Sequence, residues 1–350
     1  MSVTLKDKFL GCIAGSFCGS AMGAPYFGKD YVAVAACHGG EEGFLPYSMN
    51  GWDRTAGTTE SGIERLKMLA EAIIAKEDRV WVEDVRKAWL SVYTEDAMDK
   101  MLESFDKTLY AIAKTTVPGR DIGKYCDYSA FISFPGSCMP IGLINAGNME
   151  TVDADILNVG QLYQVSNSRG IRWAQLVGGA IAAATKPDAT VKSVISAVVA
   201  LPMDKMMKGE TPRHLKATEH MTPEELPEYF NQFYNGEGIK FVFHSANEIV
   251  TKALCVLQVC NGNVEECIKT GIKLGRGTAA TAALAGALAG AVSGASGIPQ
   301  EWMTKVDEAT MANPYTCVRK SIKETADALY GAYVKKMEKE TAFVTMMDIE

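Results

Sequence analysis

The fold of this 350-residue chain is decided by one stretch, Gly275-Arg276-Gly277-Thr278-Ala279-Ala280-Thr281-Ala282-Ala283-Leu284-Ala285-Gly286-Ala287-Leu288-Ala289-Gly290. From Thr278 to Gly297 there is no charged residue, and Gly286, Gly290 and Gly294 recur at every fourth position. Small residues at this spacing share one face of a helix and let a neighbouring helix approach closely. The stretch therefore predicts a buried helix at the centre of a helical protein.

The same stretch is also the best candidate in the chain for a membrane span, because a run of about 20 uncharged residues is long enough to cross a bilayer. Its residues are mostly Ala, Gly, Ser and Thr, which partition weakly into lipid, and no second such run accompanies it. We therefore expect a soluble protein without a membrane partner.

Outward from this stretch, apolar residues recur at three- and four-residue spacing, and no comparably long alternating pattern interrupts them. The helical segments predicted in this way are 5–22, 60–76, 82–113, 151–163, 171–185, 190–200, 222–235, 243–260, 263–273, 278–293, 299–312 and 317–338. No Ser/Gly linker or repeat divides them. The pattern predicts an all-α fold with a single compact domain over residues 1–340 and a C-terminal tail over 341–350.

Two local signals refine this prediction. Thr222-Pro223-Glu224-Glu225 has the residue types of a capped helix start, with Pro in the first helical position. The segment from Leu201 to Thr222 is rich in Met, Lys, Pro and Thr, and we expect it to be a mobile excursion.

The charge and the cysteines of the chain indicate which partners and which cellular compartment to expect. The chain carries 35 Lys and Arg against 42 Asp and Glu, a net charge of −7, and its basic residues are scattered. This balance argues against a nucleic-acid partner and leaves a small molecule as the expected ligand. Its nine cysteines form no Cys-x-x-Cys pair and its first residues form no secretion pattern, so we expect a cytoplasmic location. The oligomeric state stays open.

Two further stretches belong with the central one. The first is Phe9-Leu10-Gly11-Cys12-Ile13-Ala14-Gly15-Ser16-Phe17-Cys18-Gly19-Ser20-Ala21-Met22-Gly23-Ala24-Pro25, which has small residues at every fourth position. The second is Gly57-Thr58-Thr59-Glu60-Ser61-Gly62, which precedes an apolar helical pattern. Together with the central stretch they resemble the ADP-ribosylglycohydrolase family, and they span most of the chain. The loop and helix at 134–147 and the run from Ser245 support the same fold.

The resemblance implies a family mechanism whose ligands this chain lacks. In the family, carboxylates in the central stretch and in the second stretch hold two magnesium or manganese ions, which bind ribose hydroxyls and a water for attack on an N- or O-ribosyl bond. The family's acidic positions fall here on Ser20, Phe27, Gly277 and Ala279, and Glu60 is the one carboxylate that survives in the second stretch. Hard divalent cations need several charged oxygen ligands. We therefore predict no metal site and no cofactor.

Two carboxylates are the candidate catalytic residues. Glu60, at a predicted helix start, is placed by the resemblance beside the pocket as an acid or base, or it stabilises the first helical turn. Asp53, in Gly51-Trp52-Asp53-Arg54, is either a second catalytic carboxylate or part of a surface salt bridge.

The candidate substrate-binding residues are Tyr26, Phe27, Trp52, Arg54, Ser61, Cys138, Met139, His244, Glu248 and Arg276. Arg276 either fills the electrostatic role of the lost aspartates, pairing with Glu60 or an anionic ligand, or it is held in a structural ion pair. His244 and Glu248, four residues apart, form either a polar pair facing the pocket or a contact between helices. For Cys138, buried packing is favoured over a nucleophilic role, because no cationic neighbour is apparent.

Two functional hypotheses follow. In the first, the chain is a hydrolase of N- or O-glycosyl bonds that acts without metal on a ribosylated, nucleoside-like or other small polar substrate. In the alternative, it is a non-catalytic pseudoenzyme of the same fold that binds a ligand or has a structural role. A polar cavity with two carboxylates favours the hydrolase, and a cavity plugged by Phe27 and methyl groups favours the alternative.

Overall fold

A computed structural model describes residues 3–235 and 242–347 of the chain. Within those residues there are eighteen α-helices and one two-stranded antiparallel sheet. The helices are α1 (Leu5–Gly23), α2 (Tyr31–Ala36), α3 (Ser61–Lys76), α4 (Val82–Val92), α5 (Glu95–Met101), α6 (Ser104–Ala113), α7 (Gly119–Ile122), α8 (Met139–Ile144), α9 (Met149–Gly160), α10 (Arg169–Ala184), α11 (Val191–Val199), α12 (Lys205–Thr218), α13 (Leu226–Tyr234), α14 (Ala246–Val259), α15 (Val264–Lys273), α16 (Thr278–Ser293), α17 (Gln300–Ala312) and α18 (Ile322–Met346). The predicted all-α fold is confirmed.

Helices α1 and α16 pack against each other in the centre, with their backbones in direct contact. Counting from opposite ends, Gly11 meets Gly290 and Gly15 meets Gly286, so the two helices run antiparallel. A Cβ atom added to Gly15 would lie 2.1 Å from the Gly286 carbonyl oxygen. The small residues at every fourth position on both helices therefore form a single contact face.

Helix α16 is surrounded by protein. Besides α1, it packs against α14 and α15, and nearly every one of its 16 residues is buried. In the part of the chain that the structure describes, no helix combines the length and the apolar character that crossing a membrane requires.

The small sheet is a hairpin that the apolar pattern did not predict. Strand β1 (Tyr47–Met49) pairs with β2 (Trp52–Arg54) across the turn Asn50-Gly51. Both turn residues have positive φ, 51° and 71°, as the tightest hairpin turns require. Three-residue strands are too short to show an alternating pattern, but the Asn-Gly pair was a readable signal.

The predicted helix over 82–113 is three helices. Helix α4 ends at Val92, and Thr94 caps the start of α5, since its hydroxyl accepts a hydrogen bond from the Ala97 N–H at 3.2 Å. Glu103 then caps α6, where its own N–H donates to Asp106 Oδ2 at 3.0 Å. At these caps one helix is separated from the next, although the spacing of the apolar residues continues unchanged.

The segment 201–222, expected to be a mobile excursion, contains α12. Asp204 caps this helix by accepting a hydrogen bond from the Met207 N–H at 2.9 Å. Its buried positions, Met207, Thr211, His214, Leu215 and Thr218, follow helical spacing and were hidden by their polar character. Pro212 lies inside the helix, where it removes one backbone hydrogen bond.

The helix predicted to start at Pro223 begins at Leu226 instead. Thr222 does pair with Glu225, whose Oε2 accepts from the Thr222 N–H at 2.7 Å. However, Pro227 has no N–H to donate to the carbonyl of Pro223, so the regular helix starts later. At the other end of the chain, α18 continues to Met346, and the remaining tail residues 348–350 lie outside the described residues.

Candidate active-site cavity

A cavity of about 280 Å³ lies where the N-terminal ends of α3 and α16 meet the end of α1. Its polar lining residues in the described chain are Ser20, Asn50, Glu60, Ser61, Arg65, Glu103, Ser133 and His244. The remaining lining residues are aromatic, aliphatic or glycine. A cavity of this size suits a small ligand.

Glu60 lies on the cavity wall as the N-cap residue of α3. Its backbone N–H donates to Ser20 Oγ at 3.1 Å, which fixes the end of α1 to the start of α3. Its side-chain Oε1 is fully buried and has no hydrogen-bond partner among the described residues. Burial raises the pKa of Glu60 to about 8, against the opposing charge of Arg54. Glu60 therefore holds a proton at neutral pH.

Glu103 is the second carboxylate of the cavity, and Arg65 binds it. Arg65 Nη2 donates to Glu103 Oε2, and the Ser61 hydroxyl donates to Glu103 Oε1 at 2.7 Å. Burial acts to raise the pKa of Glu103, but Arg65 and the hydrogen bonds hold it below its ordinary value. Glu103 is therefore ionised at a pH where Glu60 is protonated.

Asp106 stands behind this pair and fixes Arg65. Arg65 Nε donates to Asp106 Oδ1 at 3.0 Å and Nη2 donates to Asp106 Oδ2 at 2.5 Å. Burial raises the pKa of Asp106 to about 6, although Arg65 opposes the shift. The two-bond contact holds the guanidinium in one plane.

Aromatic rings form another wall of the cavity. The His244 ring lies 5.3 Å from the Phe131 ring, nearly parallel to it at 16°, and 5.0 Å from the Phe27 ring. Phe243 and Phe105 extend this row at its two ends, with centroids 6.4 Å from Phe27 and from Phe131 respectively. Burial lowers the pKa of His244, and Arg65 adds to that effect, so the imidazole is neutral.

The start of α16 contributes methyl groups and backbone to the cavity, through Gly277, Ala279, Ala280 and Ala283. A Cβ atom added to Gly277 would lie 2.6 Å from the Phe243 carbonyl oxygen, so no side chain fits there without a backbone shift. Over residues 3–235 and 242–347, no group of three or more His, Cys, Asp or Glu side chains could hold a metal ion.

The hairpin residues Trp52, Asp53 and Arg54 do not line the cavity. Asp53 is exposed and accepts a hydrogen bond from the Ser48 hydroxyl. Arg54 is buried and donates from Nη2 to the Lys100 carbonyl at 2.7 Å. Trp52 packs edge-on against Tyr315 at 4.9 Å. The hairpin supports the loop that leads to Glu60, because Arg54 Nη1 donates to the Thr59 carbonyl oxygen at 3.4 Å.

Three other predicted substrate contacts lie behind the cavity wall. Cys138 is buried, its thiol lies 3.7 Å from the Ala174 carbonyl oxygen, and burial raises its pKa far above the ordinary value. Met139 and Tyr26 are also buried and do not line the cavity. Of the predicted site residues, Phe27, Glu60, Ser61 and His244 are the four that the structure brings together there.

Glu248 and Arg276 form a buried ion pair outside the cavity. Arg276 donates from Nε to Glu248 Oε1 at 2.7 Å and from Nη2 to Glu248 Oε2 at 2.9 Å. Lys252 Nζ also donates to Glu248 Oε1, at 2.7 Å. Arg276 has a positive φ of 65°, which is unusual for a residue other than glycine. Of the two roles predicted for Arg276, the contacts correspond to the structural pair, with Glu248 as the partner instead of Glu60.

This ion pair leads to a prediction for stability. Glu248→Gln should lower the free energy of unfolding by about 3 kcal/mol, because Arg276 and Lys252 are left buried without their carboxylate. The matched control is Glu265→Gln, since Glu265 also pairs with a lysine four residues later, Lys269, but at the surface. That change should cost less than about 0.5 kcal/mol. Urea denaturation at pH 7 compares them, and equal losses would contradict the prediction.

Sequence reasoning missed Glu103, Arg65 and the rings of Phe105 and Phe131. Glu103-Ser104-Phe105-Asp106 has an acidic residue at both the cap and the third position of a helix, so a helix start at Glu103 was readable. The approach of Glu103 to Glu60, in contrast, depends on how α6 packs beside α3, which no local pattern encodes.

Comparison with known proteins gives this geometry a context. A family model described as ADP-ribosylglycohydrolase matches residues 1–339. No match is found among curated protein sequences. One similar solved structure, an "ADP-ribosylglycohydrolase-related protein complex", superposes with a TM-score of 0.61 at 16% sequence identity, over 94% of this chain and 99% of that chain. At this identity the likeness shows the fold alone.

Proposed function

Because the chain belongs to the ADP-ribosylglycohydrolase family, we propose that it hydrolyses a glycosyl bond of a small polar substrate with Glu60 and Glu103 in place of metal ions. The observation that carries this proposal is the buried Oε1 of Glu60, which has no hydrogen-bond partner in the described part of the chain and lies on the wall of a cavity that also presents Glu103. A carboxyl group in that position is costly unless something binds it. Such groups are typical of active sites.

The donor set of the cavity does not fit a pair of magnesium or manganese ions. Glu60 is protonated at neutral pH, and both carboxylate oxygens of Glu103 already accept hydrogen bonds, from Arg65 and from the Ser61 hydroxyl. Ser20 and Ser61 add uncharged hydroxyls, and α16 adds methyl groups. Because these ions need several charged oxygen ligands, we derive no step of the reaction through them.

The two carboxylates differ in protonation as an acid and a base must. Glu60 gives its proton to the leaving atom as the glycosyl bond breaks, and Glu103 takes a proton from the water whose oxygen forms the new bond to the anomeric carbon. Arg65 and Ser61 hold Glu103 in one orientation. Proton exchange with solvent then returns both groups to their starting states.

Glu103 replaces Asp53 as the second carboxylate of the mechanism. Asp53 is exposed and bound to Ser48, whereas Glu103 lines the same cavity as Glu60. A cavity plugged by Phe27 and methyl groups would have favoured the non-catalytic alternative. Phe27 and the α16 methyl groups do line the cavity, yet a space of about 280 Å³ remains, with polar groups on its wall, which supports the hydrolase.

A substrate screen with and without EDTA tests the proposal. Incubation with ADP-ribose, ADP-ribosyl-arginine, nucleosides and small glycosides, read by mass spectrometry, should reveal turnover that EDTA leaves unchanged, because no step needs a metal ion. Titration with Mg²⁺ or Mn²⁺ should show no micromolar binding. Turnover that EDTA abolishes would overturn the proposed mechanism.

Carboxylate variants of the same substrate assay separate the candidates. Glu103→Gln should lower kcat by about a hundredfold or more, as expected for loss of a general base. Asp53→Asn tests whether the exposed carboxylate takes part in catalysis. A loss of kcat of that size in this variant would overturn the assignment of Glu103 as the base. Glu265→Gln, a surface change on α15, controls for net charge.

A further inference from the structure

The row of rings along the cavity wall points to a planar group in the ligand. Phe27, His244 and Phe131 have neighbouring centroids 5.0 Å and 5.3 Å apart, and all three line the cavity. His244 is neutral, so the row carries no charge of its own. Aromatic side chains in a cleft bind flat rings by stacking, and this contact tolerates many ring types because each has a π-face.

The charges of the cavity argue against a phosphate group in the ligand. Arg65 is the one Lys or Arg side chain in the described lining, and Glu103 and Asp106 already bind it. Glu103 carries a negative charge on the same wall. Two like charges a few ångströms apart repel each other more strongly in a partly buried site than in water, because the surrounding protein screens them less.

The N-terminal ends of α3 and α16 favour a phosphate group in the ligand, in contrast to Glu103. Among residues 3–235 and 242–347, no side chain caps either end with a hydrogen bond, and both ends face the cavity. A helix end attracts an anion through partial charges only, whereas Glu103 carries a full negative charge. The repulsion between Glu103 and a phosphate doubles when the phosphate carries two charges instead of one. The balance with such a phosphate is therefore unfavourable.

We propose that the substrate of this cavity is an uncharged, nucleoside-like glycoside, whose flat ring packs against the row formed by Phe27, His244 and Phe131 and which carries no phosphate. Its sugar hydroxyls would bond to polar groups of the same cavity lining, Glu60, Ser61 and Glu103. This inference rests on the proposed function, since it names the substrate class of the same site.

Binding to a variant with strongly reduced turnover tests the inference directly. Glu60→Gln keeps a hydrogen-bonding side chain of the same shape, and isothermal titration of this variant with adenosine and with adenosine 5′-monophosphate compares the two probes. We expect adenosine to bind at least about tenfold more tightly, given the repulsion of a phosphate by Glu103. Equal or tighter binding of the monophosphate, or no adenosine binding, would overturn the inference.

A second set of variants tests the stacking contact. In the Glu60→Gln background, Phe131→Leu should weaken adenosine binding by about tenfold or more and leave ribose binding unchanged. Phe27→Leu repeats the test on a neighbouring ring in case one variant does not fold, and Phe343→Leu, at an exposed site on α18, is the matched control. Adenosine affinity that is unchanged in both cavity variants would contradict stacking.

The two proposals can fail separately. If the variant binds adenosine as expected but the wild-type protein releases no base from any nucleoside, the proposed hydrolysis fails and the ligand class stands. If the wild-type protein hydrolyses ADP-ribosyl-arginine in EDTA but binds no nucleoside, the ligand class fails and the metal-free mechanism stands.

Discussion

Gly15→Ala is expected to leave little or no folded protein. The added Cβ would lie 2.1 Å from the Gly286 carbonyl oxygen and 2.4 Å from its carbonyl carbon. Both are backbone atoms of a buried helix, so relief requires moving α16 away from α1. Separation of these helices opens the centre of the core and displaces the start of α16 from the cavity. A folded state stabilised by about 5 to 15 kcal/mol does not withstand that change.

The same substitution at another helical glycine provides the control. A Cβ atom on Gly331, in α18, would meet no heavy atom of the described residues within 4 Å, and the residue is exposed. Gly331→Ala should therefore raise the free energy of unfolding by about 0.5 to 1 kcal/mol, because alanine loses less backbone entropy in a helix. Circular dichroism and thermal unfolding measure both variants. A Gly15→Ala protein that unfolds at the wild-type temperature would refute the backbone contact.

The glycine spacing shows what a sequence can and cannot predict about this fold. A four-residue repeat of small residues identifies a helix face that another backbone approaches, and both α1 and α16 were predicted to have one. Neither repeat, however, predicts which other helix it packs against. That pairing is seen only in the structure, where the backbone of Gly11 contacts that of Gly290 and the backbone of Gly15 contacts that of Gly286.

Helix boundaries were predicted less well than helix positions. Apolar spacing reports which face is buried, and that face continues through the caps at Thr94 and Glu103. In α12, by contrast, a helix was missed, because its buried threonines and His214 are polar residues although their spacing is helical. Both errors arise because the pattern detects hydrophobicity, whereas the backbone responds to local hydrogen bonds.

The candidate site was predicted where it falls in the stretches that carry the family resemblance. Glu60 and Ser61 lie in the second of these stretches and Phe27 just after the first, so the resemblance could place them at the cavity. Glu103 reaches the cavity through Arg65 and Asp106, which join α3 to α6 across 41 positions of the chain. The partner of Arg276 was left open for the same reason, because Glu248 lies 28 positions away.

Glu60→Gln is expected to lower kcat by a factor of about 10² to 10⁴, because the amide has no proton to give to the leaving atom. In the wild-type protein, kcat/KM should fall as the pH rises through about 8, where Glu60 loses its proton. The variant should have lost this limb of the pH profile along with most of its turnover. A variant that keeps wild-type turnover would remove Glu60 from the mechanism.

The same variant should be more stable than the wild-type protein, and increasingly so as the pH rises. Burial raises the pKa of Glu60 to about 8 from an ordinary value of 4.5, so between these pH values the folded protein holds a proton that the unfolded chain releases. The stability that Glu60 contributes below pH 4.5 is thus lost as the pH rises through 8. Glutamine does not titrate and shows no such loss. Thermal unfolding of both proteins from about pH 5 to about pH 9 should give a difference in Tm that widens with pH, whereas a constant difference would mean that Glu60 is ionised throughout and unfit to act as the acid.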